Sequence, residues 1–124
     1  MGKIKNYRIG DYIVYGGKIE KITGVSPTNV YCGLTVEVPV ESAVSPALTE
    51  KFFKDNDFVY EESMGERTYM LGHGETFILA IVRENHFGVR VRNRVYEFNG
   101  VVDDLNEFLH IVDCCAIRGE FVCE

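Results

Sequence analysis

"VYEFNGVVDDLNEFLHIVDCCAIRG", residues 95–119, holds the change of period on which the fold turns. Val95 to Phe98 has the composition of a short strand, and Asn99-Gly100 is a pair suited to a tight turn. From there the apolar residues change spacing. Leu105, Phe108, Leu109, Val112, Cys115 and Ala116 recur at i, i+3, i+4, i+7, i+10 and i+11, which places them on one face of a helix. Asp103 is the predicted N-cap, Asp104 and Glu107 favour the positive end of the helix dipole, and Gly119 is a suitable residue just past the end. A strand-rich chain that hands over to one amphipathic helix is an α+β chain.

Upstream, residues 59–102 divide at turn residues into a β-meander. Residues 67–71 break at Gly72-His-Gly74, 76–83 at Glu84-Asn85, 86–92 near Asn93-Arg94, and 95–98 at Asn99-Gly100. The apolar run Phe77 to Val82 predicts a central strand covered on both faces. Before the meander lies "SPALTEKFFKDNDF", 45–58, a short predicted helix. It has Thr49 as N-cap, Glu50 in the first turn, Leu48 and Phe53 as a hydrophobic staple, and Asn56 as the left-handed residue at its close. Residues 7–44 hold short strand candidates at 12–15, 18–23, 29–32 and 35–38, the first two joined through Gly16-Gly17. "YRIGDYIVYGGKIEKITGV" resembles the first hairpin of SH3-like small barrels, in which a Gly-Asp pair precedes a strand entering the barrel. The expectation is one α+β domain over 1–124. It comprises an SH3-like strand-rich portion (7–44), a short helix (45–58), and an antiparallel meander packed by a C-terminal amphipathic helix (59–124).

The composition suits such a domain: 124 residues, 46% hydrophobic and 26% charged. No apolar run approaches the roughly 18 residues of a membrane span, and Met1 to Lys5 has no apolar stretch behind its basic residues. Asn6 stands where a myristoylation signal needs Ser or Thr. The expected location is a reducing cytoplasm, with thiols unpaired and no membrane association. The net charge of −6 opposes a broad phosphate-attracting field, so no nucleic-acid partner is expected.

Three groups of residues carry chemical interest. His110 and Cys114 stand one turn apart on the predicted helix, with Asp113 and Cys123 near in sequence, but no second ligand pair completes a zinc site. Cys115 belongs to the apolar stripe. The expectation is no metal and no cofactor, with the cysteines serving as core filler and a surface thiol. Activated cysteine chemistry is disfavoured at the negative end of a helix dipole. Gly72-His73-Gly74-Glu75 has the look of a small catalytic loop with His86 across a hairpin, yet no nucleophile accompanies it, so a solvated turn is expected. Arg90, Arg92 and Arg94 alternate with valines in "GVRVRNRVYEF". Arg90 and Arg92 share one strand face, with Arg83 placed to join them, and such a stripe can clamp a phosphate or an acidic partner surface. Tyr12, Tyr15 and Tyr31, with Tyr7 nearby, form a second candidate binding group on the barrel portion, and Tyr96 a companion to the arginines.

Arg8, Gly10 and Asp11 at the start, Pro46, Leu48, Thr49, Glu50 and Phe58 in the middle, and a closing helix resemble a group of small uncharacterised proteins of Bacteroidota genomes, prophages and phages. That group has an Arg-x-Gly-Asn/Asp opening and a Leu-Thr-Glu helix start. Ala47, Asp57 and "VVDDLNEF" depart from its pattern. The resemblance implies a phage or mobile-element accessory role in the host cytoplasm, and carries no catalytic residues. With no catalytic constellation present, the expected function is a non-enzymatic protein-interaction module with an unknown protein partner, self-association being left open. The alternative is a nucleotide-like ligand binder using Arg83, Arg90 and Arg92 with Tyr96, which requires a concave pocket lined by them.

Overall fold

The computed structural model describes residues 7–117 and 121–123. The expected Gly119 cap and Arg118 lie outside them. Among the described residues the fold is α+β: ten strands, all paired antiparallel, and two α-helices. The chain divides into two compact units, Met1–Pro46 and Ala47–Glu124.

The first unit contains β1 (Tyr12–Tyr15), β2 (Lys18–Lys21), β3 (Gly24–Val25), β4 (Asn29–Cys32) and β5 (Val36–Pro39). Gly16 and Gly17 turn the first hairpin with φ of 58° and 78°, angles that a two-residue mirror-image turn demands. Ahead of it, the Asp11 carboxylate accepts from the Arg8 N–H at 2.9 Å and fixes the chain's entry into β1. The expected strand over 18–23 is bent. Ile22 N–H donates to Asp11 C=O at 2.7 Å, while Thr23 N–H donates to Tyr31 C=O at 2.8 Å, so the chain passes from one ladder to the next. A 3-10 turn (Val40–Ser42) then returns the chain to its start, where Val14 N–H donates to Val44 C=O at 2.8 Å. This return brings the end of the unit back beside β1. Ile13, Ile22, Val30, Cys32 and Ala43 form the core within it.

The second unit contains α1 (Glu50–Asp55), β6 (Val59–Ser63), β7 (Glu66–His73), β8 (Thr76–Val82), β9 (Phe87–Asn93), β10 (Tyr96–Val102) and α2 (Leu105–Cys114). The strands form one meander in the order β10-β9-β8-β7-β6. Helix α1 meets one face of it through the Phe53 ring, against which α2 packs in turn through Phe108. The Phe53 ring lies 5.4 Å from Tyr69 on β7, 5.2 Å from Phe87 on β9 and 5.6 Å from Phe108 on α2. Leu48 N–H donates to Asp103 C=O at 2.9 Å, and Ala47 bridges to Asp104, so the start of the unit is tied to the approach to α2.

Several local expectations are corrected. Asn99-Gly100 is no turn but the middle of β10, because Asn99 pairs with Arg90 and Gly100 with Val89 on β9; the Phe98 ring lies over Gly100, 2.9 Å from where a Cβ would stand. The cap of α2 is Asp104, whose carboxylate accepts from Glu107 N–H at 3.0 Å. Asp103 uses its carbonyl on Leu48 instead. Thr49 caps α1 in backbone geometry without a side-chain bond, and the left-handed residue after that helix is Asp57 (φ 62°), not Asn56. The helical stripe ends at Cys115, since Ala116 has φ 58° and is exposed. Strand β6 was not expected. The central strand is covered on one face only: Ile78 and Ala80 are buried, while Phe77, Leu79 and Ile81 are half-buried on the other.

Candidate functional site

That second, open face is the candidate site. Strand register determines its membership. Phe77 pairs with Arg92, Leu79 with Arg90 and Ile81 with Gly88; Arg92 pairs with Glu97 and Gly88 with Val101. Toward the other edge, Leu79 pairs with Met70 and Met70 with Val59. Alternation along each strand places all these side chains on one side of the sheet. The result is an apolar field with two guanidinium groups at one side. Val59 and Val101 are 68% and 63% exposed, a high value for apolar residues of a sheet.

The arginines differ in their surroundings. Arg90 lies over the Phe77 ring at 5.8 Å, a cation–π distance, and its guanidinium stands 3.6 Å from the Glu97 carboxylate. Arg92 extends beside it, opposite Phe77, with no ion pair among the described residues. Arg83 does not join them. The β8 residue opposite Arg90 is Leu79, four positions from Arg83, which corresponds to about 13 Å along a strand. Arg83 instead pairs with Glu66 at 3.5 Å. Arg94 occupies the β9–β10 turn with φ 57°, and Tyr96 falls on the opposite alternation from Arg90 and Arg92. Of the sequence candidates in this unit, the structure brings together Arg90 and Arg92 alone.

A shallow groove of about 420 Å³ runs along the same face near β6, lined by Val59, Glu61, Thr68, Met70 and Leu79, with His73 at its end. None of the arginines lines it. The sequence reading missed these residues, although the odd-numbered members of the run 77–82 carried half of the signal.

The remaining candidates are dispersed. In the first unit, Tyr12 and Tyr15 are three apart on β1 and therefore point to opposite faces, while Tyr31 packs against Gly24, with the face opposite the buried Val30 and Cys32. His73 and His86 occupy opposite ends of the meander, separated by the length of β8, about 20 Å. Among the described residues no three His, Cys, Asp or Glu side chains gather where a metal ion would sit. Cys114 is exposed, and Cys115 is buried one residue later. Burial, and then the neighbouring Cys114, push the Cys115 thiol above its ordinary range; burial followed by Glu20 does the same for Cys32.

Among the described residues no helix is long and apolar enough to cross a membrane. Comparison with protein-family models, with curated proteins and with solved structures finds no match to this chain.

Proposed function

We propose that the chain is a non-enzymatic protein-interaction module that engages a protein partner through the open face of the β6–β10 sheet. The observation that carries this reading is the uncovered field itself. Phe77, Leu79, Ile81 and Val101 are left partly in water beside Arg90 and Arg92. Contiguous apolar surface framed by charge marks interaction sites in soluble proteins. Arginine contributes at such sites by stacking and by paired bonds to carboxylates. The complementary surface is therefore apolar at its centre with acidic side chains placed for Arg90 and Arg92. The resemblance to phage and prophage proteins favours an accessory role in which that partner is a host or phage protein of the bacterial cytoplasm.

The nucleotide-like ligand reading has less support. It needs Arg83, Arg90, Arg92 and Tyr96 around one pocket, and these side chains are distributed over two faces and two ends of the sheet. The test is capture from a bacterial lysate by wild-type protein and by the double variant Arg92→Glu with Val101→Asp. Both positions are exposed, so the fold is expected to survive, as circular dichroism will verify. A protein retained by the wild type and lost by the variant supports the proposal. Equal retention overturns it.

A further inference from the structure

The geometry points to a second recognition element: the outer edge of β6, taking an extended basic segment of a partner protein as an added strand. The inference rests on the protein-interaction reading, but it uses the backbone edge of the sheet, at the far side of the open face from Arg90 and Arg92. All five residues of β6 are exposed, and among the described residues β6 is the last strand of its sheet, paired only with β7. Met64 (φ 53°) and Gly65 (φ 80°) form a two-residue turn, so the flanking pair Ser63 and Glu66 is a hydrogen-bonded pair. Alternation from there directs the N–H and C=O of Glu61 and Val59 toward β7. Those of Tyr60 and Glu62 face outward. An arriving strand thus meets two donors and two acceptors at ladder spacing.

Charge identifies the arrival. Glu50 is engaged by Arg67 at 3.0 Å and Glu66 by Arg83 at 3.5 Å, whereas Glu61 and Glu62 have no cation within 4 Å among the described residues. Glu61 borders the groove on the open face, and Glu62 points to the other side. A Lys or Arg opposite Glu61 sits one strand spacing away, about 4.8 Å. From there its aliphatic stem covers Val59 and its cation meets Glu61, the usual compromise of a long basic side chain on apolar surface. A second copy of this chain is the poorer occupant. Antiparallel self-pairing along the whole of β6 centres on Glu61 and sets two carboxylates directly opposite each other.

The probe is a blocked, fluorescein-labelled peptide of alternating Lys and Val, read by anisotropy at low salt. A peptide of alternating Glu and Val serves as control. Two variants separate the causes. Glu62→Pro removes an outward N–H while leaving the bonds to β7 intact, a position where edge strands tolerate proline. Glu61→Lys inverts the local charge without touching the backbone. Binding of the Lys–Val peptide that weakens at least about tenfold in each variant, with the acidic peptide inert, is the expected result. Arg92→Glu with Val101→Asp is expected not to weaken this binding, which separates it from the open-face reading. The inference is overturned by no binding to the wild type, by equal binding of the acidic peptide, or by insensitivity to both substitutions. It is equally overturned by a concentration-dependent dimer, seen in sedimentation, that Glu62→Pro abolishes.

Discussion

Tyr69 shows how one side chain reports on the aromatic core. Its ring stacks on Phe53 at 5.4 Å, and its hydroxyl donates to the Glu50 carboxylate at 2.8 Å. Burial, followed by that hydrogen bond, pushes the phenol up to about 12. An unfolded tyrosine ionises near 10. The folded state therefore holds its proton longer, and the contribution is fully present below pH 10 and lost as pH rises from about 10 to about 12. Ultraviolet titration is expected to show a late tyrosinate step that Tyr69→Phe removes, and the substitution should cost about 1.5 kcal/mol near neutrality. A titration unchanged by Tyr69→Phe would contradict the assignment. The paired cysteines offer a second check on burial. Cys114 is expected to react with a maleimide within minutes, while Cys115 and Cys32 react only after denaturation, as peptide mass spectrometry will resolve.

At the scale of elements, the cap of α2 decides between two adjacent aspartates. Asp104 satisfies a backbone N–H with its carboxylate, so Asp104→Ala is expected to cost about 1 kcal/mol in urea denaturation. Asp103→Ala should cost far less, because the bond it makes to Leu48 comes from its carbonyl. A reversal of that order would restore Asp103 as the cap. Choosing between these two from sequence failed for a physical reason: both carboxylates suit a cap, and only the tertiary bond to Leu48 assigns their roles. The period change, the Gly16-Gly17 hairpin and the strands 12–15 and 29–32 were legible, since glycine angles and alternation are local properties. Asn99-Gly100 misled because the pair is the usual sign of a turn, and only its pairing with Arg90 and Val89 on β9 keeps it extended. Two of the meander's turns also place a non-glycine residue at positive φ, Met64 and Arg94, which have no turn chemistry of their own. Strand β6 was invisible because Val-Tyr-Glu-Glu-Ser has no buried alternate. The site was half legible for the same reason. Alternation revealed Arg90 and Arg92, but the apolar field beside them exists only through the register of five strands.

For the whole molecule, charge governs which partners are admissible. The net charge is −6, and the two arginines of the open face stand beside Glu97. No shift of single- or double-stranded oligonucleotides is expected at physiological salt. Micromolar binding that falls steeply with added salt, and that disappears on Arg90→Glu with Arg92→Glu, would refute this. The tie between Leu48 and Asp103 bears on a different property, the order in which the second unit assembles. Each strand of the meander pairs with its sequence neighbour, so the sheet can zip from one hairpin to the next at little cost in chain entropy. The Leu48–Asp103 bond joins residues about 55 positions apart and closes only after the hairpins have shortened the path between them. It belongs on the native side of the folding barrier. Removing the buried Leu48 side chain (Leu48→Ala) should accordingly accelerate unfolding while leaving the refolding rate nearly unchanged in a chevron measurement. The lifetime of the folded unit would then be governed by the latch between its start and the approach to α2, and its speed of formation by the hairpins between them.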